Sequence, residues 1–475
     1  MLAALPRRGG ARPGRVRFGI RRPLVTMTRH PMASRKRFLV SAPQMMALSF
    51  GAVILAGTLL LCLPWATAGG GGTGFLDALF TATSAVCVTG LIVVDTGAHF
   101  SLFGQIVILA LIQAGGLGIM TFSVLAVLMA GGRVSYRFRM ALKESLNRLN
   151  VRSVMEVALA ILVLALVVEA AGFALLWLRW GPDMGWGQAA WQALFHSVSA
   201  FCNAGFSLNA DSLVQWRDDF FVNTVICLLI IIGGIGFTVI FEVLERKSLK
   251  NLSLHSRMAL VTSAVLIVGG AVLILVFETF KPPYSFVHYN FYDKAITAVF
   301  QSVTARTAGF NTVDIGAMSD ASLFLIILLM FVGGSPGGTA GGMKTTTFAA
   351  LLAAGAAIVR GERDVRIFNR RLSHELLLRA FTIALLSMSI VAAVTLAATA
   401  IEGRNFMHLL FEVTSAFGTV GLSTGITAQL APAEKILIVA TMFVGRLGPL
   451  TMAMALAQSA LKRQFRLPAE EIIIG

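Results

Sequence analysis

Four short stretches of this chain share a pattern suited to holding a bare cation. They read Cys87-Val88-Thr89-Gly90-Leu91, Cys202-Asn203-Ala204-Gly205-Phe206, Arg306-Thr307-Ala308-Gly309-Phe310 and Gly418-Thr419-Val420-Gly421-Leu422. Their glycines lie 115, 104 and 112 residues apart, and Ser84, Ser199, Thr304 and Ser415 stand five or six positions upstream. One such glycine is an ordinary helix cap; four at matching places indicate a shared task. Glycine admits the backbone angles that turn successive carbonyls the same way. Four such strands around one axis would present rings of carbonyl oxygens that replace a cation's hydration shell. The candidate ion-binding residues are Val88, Thr89, Gly90, Asn203, Ala204, Gly205, Thr307, Ala308, Gly309, Thr419, Val420 and Gly421. No carboxylate side chain occurs in these stretches, and none is required.

The elements that must position them follow from hydropathy. Of 475 residues, 56% are hydrophobic and 13% charged, with mean hydropathy +0.80. A soluble domain is about half apolar and a quarter charged, so the chain reads as a polytopic membrane protein. Eight apolar runs have spanning length: 45–63, 102–129, 154–178, 221–244, 258–277, 323–332 continuing to 358 after an interruption, 376–401 and 436–457. Between the members of each pair lies a shorter segment, namely Phe75–Val86, 189–201, 292–305 and 405–417. That length suits a half-helix that re-enters the membrane. Its C-terminal, negative dipole end would aim at the axis, and Asp77 sits at the first turn of the first one, where an acid suits the dipole. The expected fold is all-α, with four span–pore-helix–span repeats in pseudo-fourfold arrangement: eight transmembrane helices plus four re-entrant half-helices. Its parts are a basic tail 1–41, repeats 42–130, 131–245 and 246–359, and a fourth repeat with C-terminal tail, 360–475.

The net charge of +16 records orientation. Thirty of the 39 basic residues fall in the tail 1–41, the loops 131–152, 245–257 and 360–379, and the end after 458 (Lys462, Arg463, Arg466). By the positive-inside rule those segments and both termini face the cytoplasm. The tail, with 11 basic residues and no acid, admits three readings: a polybasic arm on anionic lipid, an upstream start ahead of Met27 or Met32, or a transit peptide. The four cysteines, in or beside apolar segments, form no disulfide framework or metal spacing and read as small buried residues.

A second glycine cluster recurs roughly 25 residues past each filter glycine: Gly115-Gly116-Leu117-Gly118, Gly233-Gly234-Ile235-Gly236, Gly333-Gly334-Ser335-Pro336 and Gly445-Arg446-Leu447-Gly448. Close helix packing accounts for the first two. In the third repeat the segment 333–347, with Gly334, Ser335, Pro336, Gly337, Gly338, Thr339, Gly341, Gly342 and Lys344, is too rich in Gly and Pro for a helix. It is not a nucleotide-binding P-loop, because Met343 separates Gly342 from Lys344 and no βαβ unit precedes it. It reads as a mobile intramembrane loop below the carbonyl rings. Arg446 stands where the other clusters have Gly, and an ionisable residue inside a span is functional by default. Bonded to the loop, it would repel a cation on the axis and move with the loop; pairing with loop carbonyls for structure alone is the competing reading. Glu412, His196 and Arg306, beside the carbonyl stretches, and Glu169 and Glu242, near span ends or packing faces, read as structural.

From about residue 43 to the end, the four stretches with one Gly per repeat are similar to the Trk/Ktr/HKT superfamily of potassium transporters. Four filter glycines, with no Ser in the first repeat, resemble its potassium-selective members. A basic tail in place of two extra spans makes the chain more similar to the Ktr membrane subunit than to the Trk one. The resemblance implies K⁺ uptake through the filter, a gate made by the loop and Arg446, and no enzymatic step. It also implies a homodimer, a cytoplasmic nucleotide-binding regulatory subunit with RCK domains, Na⁺ as activator or coupled ion, and residence in the plasma (bacterial inner) membrane, with no bound cofactor and no nucleic-acid partner. The alternatives are a Trk-type or sodium-permeable relative, a secondary transporter of another substrate, and a membrane enzyme; fourfold repetition and scattered His count against the last two.

Overall fold

The computed structural model describes residues 42–118, 151–246, 248, 251–279, 286 and 289–456. The tail 1–41 with Met27 and Met32, most of the loop 131–152, and Lys462, Arg463 and Arg466 lie outside the described residues. Within them, four continuous helices are long and apolar enough to cross a membrane. They are α1 (Ala42–Leu61), α4 (Val151–Met184), α8 (Leu254–Thr279) and α12 (His374–Glu402). Only 22–28% of their most apolar windows is buried, and Leu48, Leu59, Val265, Val268 and Leu396 lie more than half exposed. Such bare apolar faces match hydrocarbon, not water.

Each of these helices leads into a short one: α2 (Phe75–Val86), α5 (Trp186–Phe201), α9 (Phe291–Thr304) and α13 (Phe406–Gly418). The short helices form the buried centre. Phe80, Phe195, Phe300 and Phe411, one per short helix at matching places, are at most 1% exposed.

The second member of each expected pair departs from a plain span. The first is described as α3 (Leu102–Gly116), with its continuation outside the described residues. The run 221–244, expected as one span, is two helices, α6 (Phe220–Ile235) and α7 (Phe237–Arg246), bent by 96°. The turn is made at Gly236, whose φ of +100° is left-handed space that side-chain-bearing residues avoid. The third comprises α10 (Asp320–Phe331), the loop, and α11 (Thr345–Val359). The fourth, expected as continuous over 436–457, is α14 (Pro432–Leu447) and α15 (Pro449–Leu456), parted at Gly448 with φ +85°. One further departure from an all-helical fold is a two-stranded hairpin, β1 (Arg366–Ile367) with β2 (Arg370–Arg371), between α11 and α12.

Candidate cation site

The four glycine stretches leave the short helices with the same backbone. Val88, Asn203, Thr307 and Thr419 have φ of +56°, +57°, +79° and +51°, and Gly90, Gly205, Gly309 and Gly421, two residues on, have +90°, +70°, +81° and +94°. Left-handed backbone in β-branched Val and Thr is strained. A left-handed residue on either side of each of Thr89, Ala204, Ala308 and Val420 turns neighbouring carbonyls toward one side instead of alternating.

The amides are tied back toward the short helices. Thr89 and Val420 donate to the Ser84 and Ser415 carbonyls at 2.7 and 2.8 Å, and Ala204 and Ala308 to those of Ser199 and Thr304 at 2.8 and 2.9 Å. The upstream hydroxyls hold the stretches too. Ser84 Oγ and Ser415 Oγ each accept from the Gly90 and Gly421 amides at 3.0 Å. Ser199 Oγ and Thr304 Oγ1 instead donate to the carbonyls of Phe206 and Phe310, at 2.8 and 2.6 Å.

The stretches meet as a ring. A Cβ added to Gly90 would strike Ala204 O; on Gly205, Ala308 O at 2.7 Å; on Gly309, Val420 O; and on Gly421, Thr89 O. The contacts run from first to second, third, fourth and back to first, so the circle closes and only glycine fits its wall. The hydroxyls of Thr89, Thr307 and Thr419 are buried and make no hydrogen bond among the described residues. Their lone pairs, like the carbonyls, can serve a dehydrated cation. The four glycines line a cavity of 290 Å³ with Asn209 and Asp314, its sole charged lining residue among the described residues.

Side chains brace three of the stretches from behind. His196 Nε2 meets Ser207 Oγ at 2.9 Å, and Gln301 Nε2 donates to Thr312 Oγ1 at 3.3 Å. Glu412 accepts from the Thr424 amide at 2.9 Å and from the Ser423 and Thr427 hydroxyls at 2.7 Å each. The three occupy equivalent places, eight or nine residues before the glycine. Sequence reading picked out His196 and Glu412 and missed Gln301; only their common offset would have revealed it. Glu169, expected near a span end or packing face, is on a packing face: it is buried, accepts from Gln113 Nε2 at 3.0 and 3.1 Å, and lies beside Cys202. Glu242 is a local brace, accepting from the Ser253 amide and hydroxyl at 2.7 Å each.

Beneath the ring, Gly115, Gly233 and Gly445 let their helices approach so closely that a Cβ would strike the carbonyls of Val86, Phe201 and Phe417, at the ends of the short helices. In the third repeat the loop fills that level. Its neck is pinned by Thr345 N to Gly334 O at 3.1 Å and by the Ser335 and Thr345 hydroxyls at 2.9 Å. Ser335 N donates to Gly234 O at 2.9 Å, and Phe237 N to Gly337 O at 3.0 Å. A Cβ on Gly236 would meet Pro336 O at 2.6 Å, and one on Gly338 would meet Gly233 O at 2.8 Å. The loop therefore docks on the bend between α6 and α7. Gly341 lies directly against Thr419 Oγ1, Gly342 turns with φ +65°, and Lys344 Nζ folds back to Ala340 O at 2.6 Å.

Thr339 is the hub of this level. Its amide donates to Gly233 O at 3.1 Å, its hydroxyl to Phe201 O at 3.3 Å, and its carbonyl accepts from Arg446 Nη1. With its amide turned to satisfy both ends, the Asn203 side-chain oxygen lies 3.2 Å from the Thr339 hydroxyl, as an alternative acceptor to the Phe201 carbonyl for its single proton. Arg446 Nη2 donates to Gly115 O, so one guanidinium joins the fourth repeat to the loop and to the first. Of the expected gate residues, Thr339 is the one bonded to Arg446.

Comparison with known proteins places the chain in a family. Residues 26–463 match the TrkH family, described as cation transport protein. The Ktr system potassium uptake protein B of Bacillus subtilis (strain 168) is 40% identical over 433 residues, covering 91% of this chain and 96% of its own. The potassium/sodium uptake protein NtpJ of Enterococcus hirae is 38% identical, covering 94% and 99%. The crystal structure of the potassium transporter TrkH from Vibrio parahaemolyticus shares the fold, with a TM-score of 0.70 at 20% identity over 89% of this chain and 86% of that one. Apolar outer helices, a closed ring of carbonyl-bearing turns and near-full-length kinship lead to one assignment: the chain belongs to the TrkH family of cation transport proteins.

Proposed function

We propose that the chain carries potassium into the cell across the plasma membrane, through the ring formed by residues 88–90, 203–205, 307–309 and 419–421. The ring's closure carries this reading, because four carbonyl-bearing strands in mutual contact are the means of replacing an ion's hydration shell without a carboxylate. The names of its relatives support potassium as the cargo. The chain makes eight membrane crossings in four pseudo-symmetric repeats, with both termini cytoplasmic. The membrane potential drives inward movement, at about 2.3 kcal/mol per charge for each 100 mV. The loop 333–347 blocks the path below the ring, and Arg446 places a positive charge beside it while holding the Thr339 carbonyl; release of that bond lets the loop withdraw. A homodimer with a cytoplasmic nucleotide-binding regulatory subunit carrying RCK domains is the assembly that the Ktr kinship supports. The name of the Enterococcus relative favours a second reading, in which Na⁺ also permeates or is coupled.

Complementation of a K⁺-uptake-deficient bacterium at low external K⁺ tests this, with and without a co-expressed regulator. Growth and Rb⁺ uptake are expected; failure of both rejects the assignment. Gly90→Ser is expected to weaken discrimination of K⁺ from Na⁺, and unaltered discrimination rejects the ring as the selecting element.

A further inference from the structure

Arg306 is only 6% exposed, lies three residues before Gly309, and forms no salt bridge among the described residues. At the equivalent place the other stretches have Cys87, Cys202 and Gly418, so the charge is peculiar to the third. Its Nη2 donates to Gly333 O at 2.9 Å, with longer contacts to Ser263 at 3.4 and 3.5 Å. The physical need is visible. α10 ends at Phe331, so the Gly333 carbonyl is left without a helical partner, and a carbonyl away from water needs another donor. Where the other second spans place a glycine against the end of the short helix, a Cβ on Gly333 would strike Gly341 O instead.

The loop therefore has two arginine anchors of different kinds. Arg446 is partly buried and grips the Thr339 carbonyl, in the middle of the loop. Arg306 is enclosed and grips the neck itself, where the pairing of Val332 with Met343 and the Thr345–Gly334 bond close the loop.

We propose that Arg306 is a positioning residue: a fixed pivot that ties the neck of the loop to the third stretch of the ring, adding a link between ion selection and gating at the neck to the contacts that Thr339 and Gly341 make with Asn203 and Thr419. When Arg446 lets go, the far part of the loop moves while Gly333 stays. The guanidinium passes the load to Thr307, the next residue, whose left-handed backbone has φ +79°. Loss of the pivot acts directly on the third stretch of the ring as well as on the loop; loss of Arg446 leaves that anchor in place and frees the Thr339 and Gly115 carbonyls. This inference rests on the transport reading above.

The test is Rb⁺ uptake by the full chain in the K⁺-uptake-deficient bacterium, measured for wild type, Arg306→Gln, Arg306→Lys and Arg446→Gln, each normalised to protein in the membrane. Arg306→Gln is expected to raise KM at least about fivefold, the lower end of two-site coupling, and to weaken discrimination against Na⁺. Arg306→Lys, which keeps one charged donor, is expected to recover part of both. Arg446→Gln is expected to change maximal rate with KM and discrimination unmoved. If Arg306→Gln fails to reach the membrane, Arg306→Lys and Ser263→Ala carry the same comparison, with smaller shifts in KM expected. Wild-type KM and Na⁺ discrimination in the Arg306 variants that reach the membrane, whatever their maximal rate, overturn the proposal. A wild-type chain that takes up no Rb⁺ overturns the transport reading, and this inference falls with it.

Discussion

The ring and the layer beneath it are built from the same four repeats and obey opposite rules. In the ring the four stretches agree nearly residue for residue: a left-handed residue, an intervening one, a left-handed glycine, and a hydroxyl upstream that bonds the turn. One layer below three repeats are alike, each interrupted at a left-handed glycine, Gly118, Gly236 or Gly448, and the third repeat alone opens into a loop. Surrounding an ion equally needs four matching walls. A movable obstruction needs only one, and the other three must hold it.

The sharpest way to break this comparison is to add one methyl group at each level. Gly421→Ala puts a Cβ against Thr89 O at φ +94°, where left-handed backbone alone costs about 1–2 kcal/mol. Rb⁺ uptake is expected to fall by about tenfold or more, whereas Gly355→Ala, on the open face of α11, leaves it unchanged. Equal behaviour of the two would dissolve the ring as a special place. The next effect belongs to the lower layer. Arg446→Ala frees the Thr339 and Gly115 carbonyls and removes the charge, and is expected to raise the maximal rate about tenfold or more, the scale of one charge-assisted hydrogen bond. An unchanged rate would leave the arginine as scaffolding.

The braces behind the ring come third. Glu412→Ala strands the Thr424 amide and two hydroxyls and is expected to destabilise the purified protein by about 1–3 kcal/mol, read as a lower unfolding temperature. Glu412→Gln, which can still accept, recovers part of that loss. The smallest effect is expected at the partly exposed Asp77–Lys435 pair, 2.7 Å apart. Asp77→Asn shifts stability by no more than about 1 kcal/mol, measured in the same melting experiment.

What could be read from sequence follows the same division. The short helix Phe75–Val86 and all four glycine turns were legible, because half-length apolar segments and repeated glycines are local signals. The bend at Gly236 was not. The apolar run continues through Ile240 and Phe241 past the glycine, and the loop that docks on the bend, with its Pro336 carbonyl against Gly236, comes from about a hundred residues away. Gln301 escaped for a related reason: a neutral amide in a short helix is unremarkable until Thr312 is seen to face it. Arg446 announced itself as a charge in an apolar run, yet its two carbonyl partners, Thr339 and Gly115, come from other repeats and had no trace in the local pattern.

The contact of Gly421 with Thr89 has a consequence for biosynthesis. The circle is completed only when the last quarter of the polypeptide returns to the first, and Lys435 reaches Asp77 across the same seam. A chain that stops short of residue 418 lacks one wall and cannot close the ring, so on the transport reading proposed above only a chain that includes the fourth stretch offers an ion an enclosed path.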